Sequence, residues 1–250
     1  MSAKLDGNVA VVTGASKGIG AGIARQLAAE GAAVIVNYSS SKTAADKVIA
    51  DIREAGGHAV AVQGNVSKSV DVSRLFAEAV NAFGKIDVLV NNAGVYRFGP
   101  IESITEAEFR RQYDTNVLGL ILAVQEALKY FGPRGGTIIN IGSIVGTNPW
   151  PQTALYSSTK AAVENLTRCL ALELAPRKVR VNAVSPGTTE SEGTAELKLF
   201  AGDEGKKLIA ATPLGRLGTP ADIARVVAFL ASDDSAWVTG EVIRASGGAK

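Results

Sequence analysis

Short, largely apolar runs alternate along this chain with longer stretches in which apolar residues recur every three or four places. The runs fall at residues 9–13, 33–37, 59–63, 88–91, 137–141, 180–184 and 241–243, and valine and isoleucine recur in them. Their length and β-branched content predict strands. The helical period occupies residues 18–30, 42–55, 70–83, 105–130, 153–175 and 220–231. Strands that are apolar on both faces belong to a parallel sheet covered on both sides. Strict strand–helix alternation therefore predicts an α/β, doubly wound sheet of about seven strands. Such sheets bind ligands outside the carboxyl ends of their strands. The rhythm runs from residue 1 to 250 with no linker, repeat or low-complexity tract, so one domain is expected. It breaks at residues 188–211, where a helical, glycine-punctuated excursion follows the sixth strand. A long insertion at a carboxyl end predicts a cover over a site.

Composition narrows the function more than the fold. Hydrophobic residues make up 46% and charged residues 20% of the chain, as in compact soluble domains. Lys plus Arg number 26 against 24 Asp plus Glu, and a net charge of +2 gives no reason to expect a nucleic-acid or membrane partner. Cys169 is the one cysteine and His58 the one histidine, which excludes an internal disulfide and the usual zinc constellations. A Ser-His-Asp hydrolase is also disfavoured, because "IGSIVG" around Ser143 lacks the G-x-S-x-G spacing. The longest apolar run, "VLGLILAV" at 117–124, is far short of the roughly 18 residues a membrane span needs. The start of the chain has no signal-peptide pattern either, and a cytoplasmic location is expected.

Two motifs carry the chemistry. The first strand runs into "TGASKGIG", residues 13–20, and then into an alanine-rich helix. Gly14, Gly18 and Gly20 allow a tight turn and a close approach to a pyrophosphate at the helix N-terminus. The spacing is G-x-x-x-G-x-G, not the common G-x-G-x-x-G. The second motif is "ALYSSTKAAVENL", which puts Tyr156 and Lys160 four apart on one helix face, about 40° from each other. Such a pair is often a surface contact; here it follows the fifth strand, with Ser143 just past that strand's end.

"TGASKGIG", "NNAG" at 91–94, Asn116, Ser143, "YSSTK" and "SPG" at 185–187 together resemble, in order and spacing, the short-chain dehydrogenase/reductase family. The resemblance covers essentially the whole chain and is nearest to bacterial 3-oxoacyl-carrier-protein reductases and glucose-dehydrogenase-like members. It implies a Rossmann fold and an enzyme that interconverts a carbonyl and a secondary alcohol by hydride transfer. It also implies the roles. Tyr156 is the general acid in reduction and the base in oxidation, Lys160 lowers its pKa and holds the nicotinamide ribose, and Ser143 polarises the carbonyl. Asn116 becomes a helix distortion whose carbonyl holds a relay water, a reading preferred to the satisfied buried amide that the residues alone suggest. The implied cofactor contacts are Gly14, Ser16, Lys17, Gly18, Ile19 and Gly20 in the turn, Tyr38, Asn65 and Val66 near the adenosine, and Asn92, Ala93 and Gly94. Pro186, Gly187, Thr189 and Ser191 complete them. Two departures stand out: Asn65 replaces the family's usual aspartate, and Ser191 a frequent threonine.

The choice of cofactor is read from "VIVNYSSSK", residues 34–42. The end of the second strand faces the adenosine ribose, where an acid selects NAD by binding its 2′-hydroxyl. Asn37 holds that place and no Asp or Glu occurs from residue 32 to 45, whereas Ser39, Ser40, Ser41, Lys42 and Lys17 favour a 2′-phosphate. NADP(H) is expected, with the alternative that the serines only cap a helix. Tyr96, Phe98, Val145, Trp150, Leu197, Leu199 and Phe200 are candidates for an apolar substrate pocket, or for packing under the cover. A carrier-protein substrate would require Arg110, Arg111, Lys129 and Arg168 to cluster. On the helix at 153–175, Val163, Leu166, Leu170 and Leu174 form the stripe expected to face the sheet, with a polar arc at Glu164 and Arg168. Leu172 lies opposite Val163; with the family's habit of pairing this helix, it predicts a homotetramer. An NAD-dependent sugar or alcohol dehydrogenase, and a non-catalytic dinucleotide sensor, are the competing functions.

Overall fold

The computed structural model describes residues 3–192 and 202–249. Seven strands form one sheet in the order β3-β2-β1-β4-β5-β6-β7. They are β1 (Val9–Val12), β2 (Ala33–Tyr38), β3 (His58–Gln63), β4 (Val88–Asn91), β5 (Gly136–Ile141), β6 (Val179–Pro186) and β7 (Val242–Ala245), and every neighbouring pair is parallel. The helices are α1 (Gly18–Ala29), α2 (Lys42–Glu54), α3 (Ser69–Phe83), α4 (Glu106–Tyr113), α5 (Gly119–Tyr130), α6 (Ala154–Leu174), α7 (Gly202–Ala210) and α8 (Pro220–Ala231). The doubly wound parallel sheet expected from the sequence is the one observed.

Strand alternation sends side chains to two separate cores, as the pleat requires. Ala10, Val12, Val34, Val36, Val88, Val90 and Ile139 pack with α1, α2 and α8 on one face. Val11, Ile35, Leu89 and Ile138 pack with α3, α5 and α6 on the other. Central strands β1 and β4 are wholly buried, which is why they carry no polar alternation. Helix starts are fixed by local chemistry. Thr219 and Asp222 form a reciprocal capping box ahead of α8, with Pro220 in its first turn.

The helix distortion implied at Asn116 is present, and one helical expectation needs correction. The stretch at 105–130 is broken at Asp114–Leu118 by one turn of π-helix, centred on buried Asn116. On α6 the core face consists of Val163, Thr167, Ala171 and Leu174, while Leu166 and Leu170 are only partly buried. Glu164, expected on the polar arc, is 3% exposed; its carboxylate accepts a 2.8 Å hydrogen bond from Ser185 on β6. A carboxylate can sit there because a neighbouring hydroxyl replaces water. Leu172 is 81% exposed. The excursion at 188–211 holds α7; residues 193–201 lie outside the described chain. No described helix is long and apolar enough to cross a membrane.

Candidate active site

The order of strands reverses between β1 and β4, and the crevice beyond their carboxyl ends is closed by polar stitching. The Thr13 hydroxyl donates to the Val90 carbonyl (3.3 Å) and accepts from the N–H groups of Asn92 and Ala93 (both 3.0 Å). The Asn92 amide donates back to the carbonyls of Thr13 (2.9 Å) and Gly14 (3.0 Å). Gly14 and Gly18 both have φ near +60°, which side chains disfavour, and a Cβ on Gly14 would come within 2.8 Å of the Ala93 Cα. The turn is therefore a backbone cradle at the start of α1. An anion already uses it: the Glu192 carboxylate, in the segment after β6, accepts from the Gly18 N–H at 2.7 Å. That contact tests the cradle for a dinucleotide pyrophosphate, and the cradle fits.

Asn37 does not do what its position suggested. Its Oδ1 accepts from the Gly14 N–H (3.1 Å) and its Nδ2 donates to the carbonyls of Val62 (3.3 Å) and Gly64 (3.1 Å). With 1% exposure and both ends of the amide engaged, it ties β2 to β3 and to the glycine turn, leaving nothing for a ribose phosphate. The polar groups left at this corner are on Ser39 and Ser40, which are exposed, and on Ser41, which precedes α2 without a side-chain capping bond. Lys42 forms an exposed ion pair with Asp46 at 2.7 Å. Ser16 and Lys17 lie in the turn itself, while Ile19 packs partly into the core. Asn65 Oδ1 accepts from both the N–H and the hydroxyl of Ser67, which leaves its amide nitrogen without a partner among the described residues. Val66 is buried beside Gly119.

Four of the predicted groups converge across β5 and α6. Asn116 sits in the π turn with its Oδ1 accepting from the Val95 N–H (2.8 Å) and its Nδ2 donating to the Val95 carbonyl (2.8 Å) and Thr159 Oγ1 (3.0 Å). It is at once a helix distortion and a satisfied buried amide. Asn91 donates to Asn140 (2.9 Å), which donates to Thr167 (2.9 Å), joining β4, β5 and α6 through the core. Ser143 follows β5, and its hydroxyl is near enough to the Tyr156 phenol to oppose the rise in its pKa. Lys160, 5% exposed, donates to the Ile141 carbonyl at 2.8 Å, and its Nζ lies 5.7 Å from the Tyr156 ring centroid. Burial, reinforced by Tyr96, pushes the Tyr156 phenol above its ordinary pKa despite the opposing effect of Ser143. The expected lowering by Lys160 does not prevail. The same burial pulls Lys160 down from 10.5 to about 8. Beside these groups lies a cavity of about 10 Å³, lined by Thr13, Asn116, Ile141 and Lys160 among others, the size of one water.

Around the mouth, Tyr96 and Phe98 stack on each other with centroids 5.4 Å apart, and each meets Tyr156 edge-on at 5.8 Å. Trp150 is 40% exposed. Val145, expected to line the pocket, is buried; its N–H points to Ser143 and its carbonyl takes the Ser157 hydroxyl, so it braces the site. Leu197, Leu199 and Phe200 lie outside the described residues. Pro186 ends β6, Gly187 packs against Ser246, and the Thr189 hydroxyl donates to the Gly187 carbonyl at 2.9 Å. Ser191 comes up to Gly18, where its Cβ would lie 3.3 Å from an added methyl, and Gly94 lies beside Asn116 and Lys160. Of Arg110, Arg111, Lys129 and Arg168, each is paired with a carboxylate on its own helix, the Arg168 pair at 3.9 Å. Thr13 was not singled out from sequence; its signal is its place immediately before Gly14.

A family model described as enoyl-(acyl carrier protein) reductase matches residues 14–250. The chain belongs to this family, the short-chain dehydrogenases/reductases, and is an enzyme of the oxidoreductase class. It is 57% identical over 247 residues to an uncharacterised oxidoreductase of Methylorubrum extorquens, covering 99% of each chain. It is 41% identical to the tetrahydroxynaphthalene reductase of Pyricularia oryzae, over 99% of this chain and 91% of that one. The crystal structure of the angucycline C-6 ketoreductase LanV with bound NADP superposes with a TM-score of 0.93 at 37% identity, covering 100% of this chain and 98% of the other.

The bonds of Asn37 generate a stability prediction. Asn37→Asp faces a carboxylate with the Val62 and Gly64 carbonyls and removes the donor they share. A loss of about 1–3 kcal/mol is expected, lowering Tm by roughly 2–4 °C per kcal/mol, instead of a clean change of cofactor. Calorimetry alongside cofactor titration distinguishes the two.

Proposed function

We propose that the protein is an NADP(H)-dependent carbonyl reductase in which Tyr156 transfers the proton. The observation that carries this is the place of Tyr156: its ring lies 5.7 Å from the Lys160 ammonium and edge-on to Tyr96 and Phe98, with the Ser143 hydroxyl near its phenol, which burial keeps protonated. Reduction of a ketone needs a proton on oxygen, and this phenol holds one at neutral pH. Ser143 donates to and orients the same carbonyl oxygen. As the phenol loses its proton, the Lys160 charge stabilises the phenolate. The water-sized cavity between Asn116 and Lys160 supports a proton path back to Tyr156. NADPH, when bound, supplies the hydride.

The chain's own groups suit that cofactor. Residues 14–20 would hold the pyrophosphate, Asn65 and Val66 the adenine, and Asn92, Ala93, Gly94, Pro186, Gly187, Thr189 and Ser191 the nicotinamide end. Lys160 would hold its ribose. With Asn37 committed elsewhere, Tyr38, Ser39, Ser40 and Lys17 are the groups for a 2′-phosphate, helped by the N-terminus of α2, which has no acid in its first turn. The angucycline ketoreductase structure contains NADP, which supports the same choice here. The substrate we infer is an apolar, ring-bearing ketone. The rings of Tyr96, Phe98 and Trp150 favour it over a sugar, and the tetrahydroxynaphthalene and angucycline reductases among the relatives point the same way. A homotetramer in the cytoplasm is proposed from the exposed Leu172 and the family's habit; light scattering at micromolar concentration should give four times the 25.8 kDa chain mass.

Tyr156→Phe should abolish ketone reduction while leaving NADPH affinity nearly unchanged; retention of more than a few per cent of kcat would remove Tyr156 from the mechanism. NADPH should be preferred over NADH by at least about tenfold in kcat/KM, on the order of 1.4 kcal/mol. Equal use of NADH would mean that residues 38–42 select nothing. For pH, the lowered Lys160 pKa means its charge is lost as pH rises through about 8, so kcat/KM for reduction should fall on an alkaline limb there. Between that value and 10.5 the unfolded chain holds more protons, so the residue's contribution to stability rises with pH as activity falls. A pH–rate profile set beside a pH–Tm profile checks the opposed signs.

A further inference from the structure

Helix α4 contributes almost nothing to the core. Its sequence, "EAEFRRQY", is strongly polar, and the one residue it buries is Gln112, at 0% exposure. A surface helix that buries a glutamine and no apolar side chain is held for some reason other than the hydrophobic effect. Its hydrogen bonds give the reason. Glu108, only 12% exposed, takes both ends of the Arg111 guanidinium (2.8 and 2.9 Å) and the Gln112 amide (2.8 Å). Each of those donors reaches past Glu108 to the loop after β4: Arg111 to the Tyr96 carbonyl and Gln112 to the Arg97 carbonyl, both at 3.2 Å. The anchored backbone is the one that carries Tyr96 and Phe98, whose rings meet Tyr156. At its far end α4 is tied to the catalytic helix, since the Tyr113 hydroxyl donates to Ser158 at 3.1 Å. Among the described residues Gln112 Oε1 has no hydrogen-bond partner, so the side chain is kept at that depth for its two donors at the expense of its acceptor.

We propose that Glu108, Arg111 and Gln112 are positioning residues that hold the Tyr96–Phe98 rings against Tyr156 and thereby set a preference for ring-bearing over small ketones. The inference rests on the carbonyl-reductase reading above. The loop 95–100 has no regular secondary structure; Asn116 holds its start at Val95 and the Gln152 carbonyl accepts from Gly99 near its end, and the two tethers fix the backbone between them at Tyr96 and Arg97. A planar substrate gains from a wall already in place, because ordering the loop on binding would subtract from affinity. A small ketone touches little of that wall and is indifferent to it.

The test compares wild type with Gln112→Met, similar in length and lacking the donors, and with Arg111→Lys, which keeps the charge but not the fork. KM for β-tetralone, a bicyclic ketone, should rise about fivefold in each variant, the scale of one net hydrogen bond. KM for butanone, kcat for both ketones and NADPH affinity should stay within twofold. A purely structural role predicts the reverse pattern, a lower Tm with both ketones affected alike. Gln112→Met should keep its Tm, because it also removes an unpaired buried acceptor; if it fails to fold, Arg111→Lys on the exposed side reads the same effect. Near-ultraviolet circular dichroism gives a readout independent of turnover: the signal lost in a Tyr96→Leu control should shrink in both variants while the far-ultraviolet spectrum is kept. Unchanged dichroism together with an unchanged tetralone-to-butanone KM ratio overturns the proposal. If the wild-type protein reduces neither ketone, the carbonyl-reductase reading fails, and the dichroism still decides whether α4 positions the rings.

Discussion

The closure of β1 onto β4 by Thr13 and Asn92 is the constraint on which the rest of the site depends. At the switch point the sheet has no continuing strand to satisfy the backbone beyond Val12 and Asn91, yet a ligand crevice needs that backbone bent away and held still. One hydroxyl with three bonds and one amide with two solve both needs. They fix Gly14 against Ala93 so closely that no side chain fits between them. The glycine turn is rigid because it is stitched on both sides, by Asn92 from β4 and by Asn37 from β2. That rigidity lets backbone N–H groups stand ready for an anion without rearrangement.

Asparagine is the recurring device. Asn37, Asn91, Asn92, Asn116 and Asn140 are each at a strand end, in a helix defect or within a strand, and each uses its side chain to satisfy a neighbour. An amide offers both donors and an acceptor without the charge that would make burial expensive. The Asn91–Asn140–Thr167 line carries this logic through the core to α6, so the helix bearing Tyr156 and Lys160 is registered to β5 by hydrogen bonds as well as by packing. Glu164 and Ser185 add a second tie, from α6 to the strand that ends at Pro186 and Gly187.

This also explains which parts were legible in the residues alone. The strands could be read because burial on both faces leaves no polar alternation, and helix boundaries because Thr105, Thr219 and Pro220 mark them chemically. That Ser143, Tyr156 and Lys160 would come together could be read because spacing on a helix and position after a strand are both local properties. Asn37 was misread for a physical reason: a strand-end amide is equally suited to a ribose and to a neighbouring carbonyl, and only the register of β2 with β3 decides between them. Glu164 was misplaced because its partner is 21 residues away on another element. The bonds from α4 to the backbone at Tyr96 and Arg97 have no one-dimensional signature, since its residues read only as part of the helical stretch at 105–130.

Burial acts on Tyr156 and Lys160 in opposite directions, and the two effects meet in the proposed reaction. Desolvation favours the neutral form of each, so it keeps the proton on the phenol and loosens it from the ammonium. The phenolate left after proton transfer is then tolerable only beside a charged Lys160. At the 5.7 Å between Nζ and ring centroid, an effective dielectric of about 20 gives roughly 3 kcal/mol of attraction, or about two pKa units. That attraction opposes the effect of burial on the phenol. In the proposed reaction the phenol is therefore ready to act as the acid so long as Lys160 keeps its proton. A base would require the phenolate to persist, which needs a higher pH, and the same rise discharges the lysine that stabilises it. In the proposed reaction, shared burial thus favours the protonated phenol at neutral pH.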